Sequence, residues 1–266
     1  MKQLSYLVLS FLIMPASFAQ LAAPNENGIT FGHVHLNISD IELHKRIWIE
    51  HFNGTIVEKG PLTVAKLPNM MVALTEREPT MGSRETKMHH FGFKVRRMDK
   101  FLDKWRADGL EVGSVFLGSE GQLNAYVILP DNIAVEMQED RGLHEEITGY
   151  HVHWFLDNPD EILQWYIEMF DLEIRPRGRI TTTTNVPGMN LSFGANNSGR
   201  QSTQGSAIDH IGFEIDNLEE FCRTLEAKGV IFDIPYREIP AIGLNIAYFT
   251  DPSGVYVELT EGYDEY

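Results

Sequence analysis

Cysteine is nearly absent from this 266-residue sequence, with Cys222 the single example. That excludes an intramolecular disulfide framework and any thiolate metal cluster. Basic residues are also scarce: 22 Lys+Arg stand against 38 Asp+Glu, for a formal net charge of −16. So acidic a chain has no basic surface to offer a nucleic-acid backbone, and nucleic acid is not expected as a partner. After the first twenty residues no long apolar run occurs, so no membrane span is expected there. Glycine (22), proline (12) and a hydrophobic share of 43% are ordinary for a globular protein and exclude collagen-like repeats and wholesale disorder. The length suits one large domain or two of about 100–150 residues.

The first nineteen residues read as a leader rather than as fold. Met1-Lys2 is a short basic start, and Leu4 to Met14 is almost entirely apolar. Ser17 and Ala19 then supply the small residues of a cleavage site before Gln20. The expectation is a signal peptide over residues 1–19 and a secreted or periplasmic mature protein, free of the membrane after cleavage.

Internal repeats organise the rest. Gly32-His-Val-His-Leu36 matches Tyr150-His-Val-His-Trp154 at an offset of 118 residues. His90-Phe-Gly-Phe93 matches His210-Ile-Gly-Phe213 at an offset of 120, and Ala125-Tyr126 through Glu136 matches Ala247-Tyr248 through Glu258 at 122. The chain is thus a duplication whose copies each contain two shorter units, with a boundary near Arg141–Gly149. Each unit opens with an alternating strand, continues into a helix and ends in extended segments. The helices show as apolar stripes at helical period: Met98, Phe101, Leu102 and Trp105 in the second unit; Ile162, Trp165, Tyr166, Met169 and Phe170 in the third; Leu218, Phe221, Cys222 and Leu225 in the fourth. On that stripe Cys222 reads as a small core residue. Gly109 and Gly229 follow helix ends, where a left-handed residue is expected.

The chemistry sits on the strands. Side chains alternate faces along a strand, so Val34, Leu36 and Ile38 point toward a helix while His33 and His35 point away from it. The same alternation sets His90, His151 with His153, and His210 on the face away from the helices, joined from the closing strands by Glu136 and Glu258. Imidazoles and a carboxylate on one concave face make a divalent-metal site with open positions, suited to Fe, Mn, Zn, Ni or Co.

These motifs resemble the vicinal oxygen chelate superfamily, which includes glyoxalase I, fosfomycin-resistance thiol transferases and type I extradiol dioxygenases. The strongest part is His210-Ile-Gly-Phe with Asp251-Pro-Ser-Gly-Val-Tyr-Val-Glu258-Leu, and the resemblance covers residues 28–263. It implies an α+β fold of tandem βαβββ modules, as two domains over residues 28–140 and 148–263, each curled into a cup around a metal. It implies His33, His90 and Glu136 as ligands in the first half, and His151, His210 and Glu258 in the second. His35 and His153 are then cup-wall or supporting groups, His89 points to the helix side, and His44 and His51 are buried or boundary residues of the first helix. Tyr248 falls where extradiol dioxygenases carry a hydrogen-bonding residue near the metal, with Tyr126 its repeat partner.

Departures narrow the activity. The fourth, carboxylate ligand of a glyoxalase would fall at Ala73 in the first unit, with Glu76 a displaced substitute, and the third unit has only Asn190-Leu-Ser-Phe193. The histidines that move protons in extradiol enzymes are missing from Glu238–Ala241 and Phe193–Asn196. Arg175, Arg177 and Arg179 would share a face and could meet an anionic substrate if their segment is a strand, but a solvated strand edge is the preferred reading. Gly194 to Gly205 reads as a connector or a mobile loop. The expectation is a metal-dependent enzyme acting on a small molecule that chelates through adjacent oxygens, with lyase, isomerase and oxygenase chemistry open, and a homo-oligomer open as well. The rival reading is a metal-free protein that sequesters a small ligand in the same cups.

Overall fold

The computed structural model describes residues 21–196 and 199–266. The signal-peptide reading of residues 1–19 lies outside them. Four units follow one another in chain order. The first comprises β1 (Ile29–Ile38), α1 (Ile41–Glu50), β2 (Thr55–Lys59), β3 (Leu62–Leu67) and β4 (Met70–Glu76); the second comprises β5 (Met88–Val95), α2 (Met98–Ala107), β6 (Glu111–Leu117), β7 (Leu123–Leu129) and β8 (Ile133–Glu139). The third comprises β9 (Ile147–Leu156), α3 (Pro159–Phe170), β10 (Thr183–Val186) and β11 (Met189–Ala195); the fourth comprises β12 (Ile208–Ile215), α4 (Leu218–Ala227), β13 (Phe232–Ile239), β14 (Leu244–Thr250) and β15 (Tyr256–Glu261). This is the α+β fold of tandem βαβββ modules, with one departure. The third unit has two regular strands after its helix, because Pro176 and Gly178 interrupt the segment that would form the other. Only single bridges remain there, at Ile174–Thr184 and Arg177–Ile180.

Local chemistry explains the helix limits. Asp40 caps α1 by accepting the Leu43 amide at 2.9 Å, and α3 starts with Pro159 where no amide donor is needed. Gly109 and Gly229 take φ of +75° and +97° just beyond α2 and α4, as expected of helix exits.

The units do not pair as the duplication suggests. One sheet runs β13-β14-β15-β12-β1-β4-β3-β2, joining the fourth unit to the first; the other runs β10-β11-β9-β5-β8-β7-β6, joining the third to the second. The sheets therefore cut across the division into residues 28–140 and 148–263. The physical reason lies in the opening strands: β1 pairs antiparallel with β12, and β5 with β9. The first and second units, and likewise the third and fourth, meet instead on the helix side of the sheets. Phe52, which follows α1, packs on Phe93 of β5 with ring centroids 5.0 Å apart, and Phe170 of α3 packs on Phe213 of β12 at 4.7 Å. One apolar core fills the helix side of both sheets, and Cys222 is buried in it. The opposite faces are the cups. Aromatic and β-branched side chains fill the one face and histidines and glutamates the other, as period-two alternation requires.

Candidate functional site

Strand register fixes which polar side chains meet. In the sheet of the first and fourth units, His33 lies opposite Gly212 and His35 opposite His210, while Glu258 lies beside Gly212 on the parallel strand β15. His33, His35, His210 and Glu258 each offer a ligand atom within 4.8 Å of the others. In the second sheet His151 lies opposite Gly92 and His153 opposite His90, with Glu136 beside Gly92. His90, Glu136, His151 and His153 form the second cluster within the same 4.8 Å.

All six residues expected as metal ligands are therefore in two clusters, but grouped differently. His33 joins His210 and Glu258, not His90 and Glu136; His151 joins His90 and Glu136, not His210 and Glu258. The cause is the pairing of opening strands between units far apart in sequence. His35 and His153, expected as wall or supporting groups, also bring a ring nitrogen within reach of their clusters, and His35 Nε2 lies 2.7 Å from the Thr75 hydroxyl. Their spacing, two residues after His33 and His151 on the same strand face, was the available signal. They stand beside the positions where a fourth carboxylate is missing: His35 pairs with Ala73 and His153 with Ser192. Each cluster thus has three imidazoles and one carboxylate. Glu76 lies at the end of β4, beside Ile38 rather than beside the histidines.

Glycine makes the approach possible. A Cβ on Gly212 would overlap the His33 ring, and one on Gly92 would overlap the His151 ring. The Gly in each His-x-Gly-Phe motif is there to let the partner unit's histidine cross over the strand.

The two clusters differ in how their hydrogens are placed. In the first cup Glu258 Oε2 accepts from His33 Nε2 at 2.9 Å and from His210 Nε2 at 3.0 Å. His210 Nδ1 donates to Asp209 Oδ1 at 2.6 Å, and Asp209 Oδ2 accepts from Asn37 at 3.0 Å and the Gly205 amide at 2.7 Å. Burial depresses the proton affinity of His210, but its bonds to Asp209 and Glu258 outweigh that and push its pKa up to about 9. Burial raises Glu258, and the hydrogen bonds from His210 and His33 overcome it, holding the carboxyl well below its usual range. His35 is pushed down to about 3 by burial and by His210.

In the second cup the position of Asp209 is taken by His89. A register shift between Met88 and His90 turns His89 away from the helices, and its Nδ1 lies 2.8 Å from His90 Nδ1. The helix-side placement of His89 is thereby corrected. His90 Nε2 is 2.9 Å and His151 Nε2 is 3.7 Å from Glu136 Oε2, yet neither makes a well-aligned hydrogen bond. Both are fully buried. Asn124 Nδ2 donates to the other Glu136 oxygen at 2.5 Å. Burial raises Glu136, but its two histidines hold it well below the carboxylate range. Burial and the charge of Arg177 push His151 down to about 3, so a neutral imidazole is ready to donate its lone pair. Buried imidazole nitrogens without a partner, converging on an ionised carboxylate, fit a divalent cation in donor type and in charge.

Access differs too. In the first cup Tyr263 stacks on His33 with ring centroids 4.7 Å apart, and Tyr266 stacks on Tyr263 at 4.9 Å. With Leu21, Val64, Met71 and Ile246 they form a separate apolar cluster over the polar face. Beside the second cup lies a cleft of about 1030 Å³, lined by Lys94, Glu120, Tyr150, Arg175, Arg177 and Asn190 among others. Arg177 is buried whereas Arg175 and Arg179 are exposed, so the three do not share a face.

Tyr248 of the first cup stands edge-on to His210 at 5.4 Å, with its hydroxyl proton held firmly by burial and by the neighbouring Glu258. Tyr126 holds the same relation to His90 and Glu136 in the second. His44 and His51 are buried beside Asp131 and Asp108, at 3.4 and 3.0 Å, away from either cup. The loop after β11 is pinned rather than free at its described end, with the Lys87 amide donating to Gln201 O at 2.9 Å. Among the described residues no helix is long and apolar enough to cross a membrane.

Comparison with known proteins agrees with this geometry. Residues 149–259 match the model of the Glyoxalase/Bleomycin resistance protein/Dioxygenase superfamily. Glyoxalase I from Zea mays superimposes with a TM-score of 0.69 at 15% identity, covering 89% of this chain and 94% of that one. A point mutant of the same maize enzyme gives 0.70 at 14% identity, covering 90% and 95%. A putative dioxygenase from Bacillus subtilis gives 0.68 at 11% identity, covering 87% and 84%. At these identities the likeness is one of fold. No curated protein matches the chain in sequence.

Proposed function

From the match of residues 149–259 to the Glyoxalase/Bleomycin resistance protein/Dioxygenase superfamily model, we propose that the chain is a metal-dependent enzyme acting on a small molecule that chelates through adjacent oxygens. The second cup is the working site. The observation that carries this reading is the set of unpartnered, buried nitrogens on His90 and His151 aimed at Glu136, next to an open cleft. His90, His151, His153 and Glu136 would hold the cation. A divalent cation there supplies Lewis acidity toward a substrate oxygen.

The protein's own groups account for the rest. Glu136, fixed by Asn124, keeps its negative charge in a buried setting and so favours a cation over a proton. Tyr126 keeps its proton and can donate a hydrogen bond to an oxyanion that develops beside Glu136. The first cup carries the same donor set, with Tyr248 in the place of Tyr126, but Tyr263 covers His33. It is a closed site for a cation. Lyase, isomerase and oxygenase chemistry all use such an arrangement, and the leader over residues 1–19 supports an exported location.

The rival, ligand sequestration without metal, is favoured by no particular observation. Metal analysis of protein purified without chelator separates the two. About two equivalents of one divalent metal are expected, falling to one in Glu136→Gln. Metal-free wild-type protein that takes up none of Fe, Mn, Zn, Ni or Co on titration would overturn the proposal.

A further inference from the structure

Among the described residues Arg177 is the one buried arginine beside the second cup, at 6% exposure. Pro176 and Gly178 break the strand that would have carried its side chain along an edge, and the segment packs on the loop between β6 and β7. The Arg179 amide donates to Ser119 O at 3.2 Å, and Ser119 Oγ to Arg177 O at 3.3 Å. The guanidinium lies over the Tyr150 ring, 5.5 Å from its centroid. Its Nε has no hydrogen-bond partner among the described residues, and Nη1 stands 3.9 Å from Glu120 Oε2, too far for a hydrogen bond. Glu120 is already engaged: both of its oxygens accept from the Tyr150 hydroxyl at 2.8 Å, and Oε2 also accepts from Gln138 at 3.0 Å. A buried guanidinium whose Nε lacks a partner and whose nearest carboxylate stands off at 3.9 Å is incompletely satisfied, and an anion bonded to it directly would complete it. Tyr150 adjoins His151, with ring centroids 5.7 Å apart, and Tyr150 and Arg177 both line the cleft, so an anion on Arg177 would lie on the Tyr150 side of His151.

We propose that Arg177 is an oxyanion-binding residue at the mouth of the second cup, and that the substrate is a small carboxylate whose chelating oxygens reach the His90–Glu136–His151 cluster. The inference rests on the metal-site reading for the second half of that statement only. A planar fork suits a carboxylate through two parallel hydrogen bonds, and the Tyr150 ring beneath it offers a flat wall for a planar group. In the first cup the repeat-equivalent residue is Lys59, whose ammonium lies 3.9 Å from the centroid of the Tyr266 ring, and Tyr263 covers His33, so that cup offers a point charge rather than a planar fork.

The test uses the full-length mature protein, stripped of metal and dialysed, with benzoate and inorganic phosphate as probes followed by NMR titration. Saturable benzoate binding is expected in the wild type. It should weaken at least tenfold in Arg177→Met, and less in Arg177→Lys, which keeps the charge and loses the fork. Glu120→Gln should bind benzoate several-fold more tightly, because a competing carboxylate is removed while its hydrogen-bonding shape is kept. Unchanged benzoate affinity in folded Arg177→Lys, or unchanged or weaker affinity in Glu120→Gln, overturns the assignment. Phosphate binding tenfold tighter than benzoate would overturn the carboxylate class. Metal content is measured separately on the undialysed wild type. Loss of the metal reading with benzoate binding intact would leave the anion site standing, and the converse would leave the metal site standing.

Discussion

At the scale of single residues, one difference between the two cups lies directly behind a ligand histidine, at a repeat-equivalent position. Asp209 accepts from His210 Nδ1 in the first cup, and His89 stands beside His90 Nδ1 in the second. A carboxylate behind a ligating imidazole fixes its tautomer and raises its basicity, and removing such a partner costs roughly 10–100-fold in metal affinity. Asp209→Asn should therefore weaken one of two metal equivalents by about that factor in a competition titration while the other is unchanged. Equal weakening of both, or of neither, would defeat it. Glu214 gives a pH prediction at the same scale. Burial pushes its carboxyl up to about 7, despite hydrogen bonds from Thr260 and the amides of Gly262 and Tyr263. Its folded pKa exceeds the free value of 4.5, so its contribution to stability is complete below about 4.5 and is lost as pH rises through 7. Both amides bond Oε1, so a glutamine oxygen can keep them. Glu214→Gln should flatten the fall in melting temperature between pH 5 and 8, an effect on the order of 1–3 kcal/mol. A melting curve that keeps its wild-type pH dependence would sink the idea.

At the scale of elements, the opening strands carried most of what the sequence could reveal. Their alternation placed the four candidate histidine ligands on one face, alternation in the closing strands added Glu136 and Glu258, and the helical stripes placed Trp105, Tyr166 and Cys222 in the core. What alternation could not reveal was register across units. Which histidine faces which glycine depends on pairing between β1 and β12, far apart in the chain, and on bulges that turn His89 and Tyr150. The approach of His35 and His153 to the clusters, the burial of Arg177 and the cover over His33 all follow from such non-local placement. The glycine of each His-x-Gly-Phe motif tests the register directly. Gly212→Ala puts a methyl group into the His33 ring, and overpacking of this kind costs typically 1–3 kcal/mol. We expect a lower melting temperature and loss of the first-cup metal alone. Gly92→Ala should do the same to the second cup through His151. Two full metal equivalents in either variant would show that the rings do not cross the strands as described. Beside these, Tyr126→Phe should keep metal and melting temperature and lower turnover by roughly 10²–10³-fold, the usual cost of one oxyanion donor; full turnover would return that tyrosine to a packing role.

At the scale of the whole molecule, the duplication and the cups have different seams. Sequence repeats divide the chain near Arg141–Gly149, yet each sheet takes one unit from either side of that seam. His33 and His35 come from the first half while His210 and Glu258 come from the second; His90 and Glu136 come from the first while His151 and His153 come from the second. Neither half can assemble a three-histidine, one-glutamate cluster by the observed pairing, although each contains four of the eight donors. The halves should instead be held together by both central strand pairs, β1 with β12 and β5 with β9, and by the shared helix-side core. Cutting the chain at 143 separates the two halves without breaking a strand. Residues 21–143 alone and residues 144–266 alone should each bind less than about a tenth of an equivalent of metal and expose apolar strand edges prone to association. Mixed or co-expressed, they should form a one-to-one complex that recovers both equivalents. A lone second half that binds a full equivalent at wild-type affinity would mean that His151, His210 and Glu258 close a cup within one half, and that the cross-half pairing is not what builds the site.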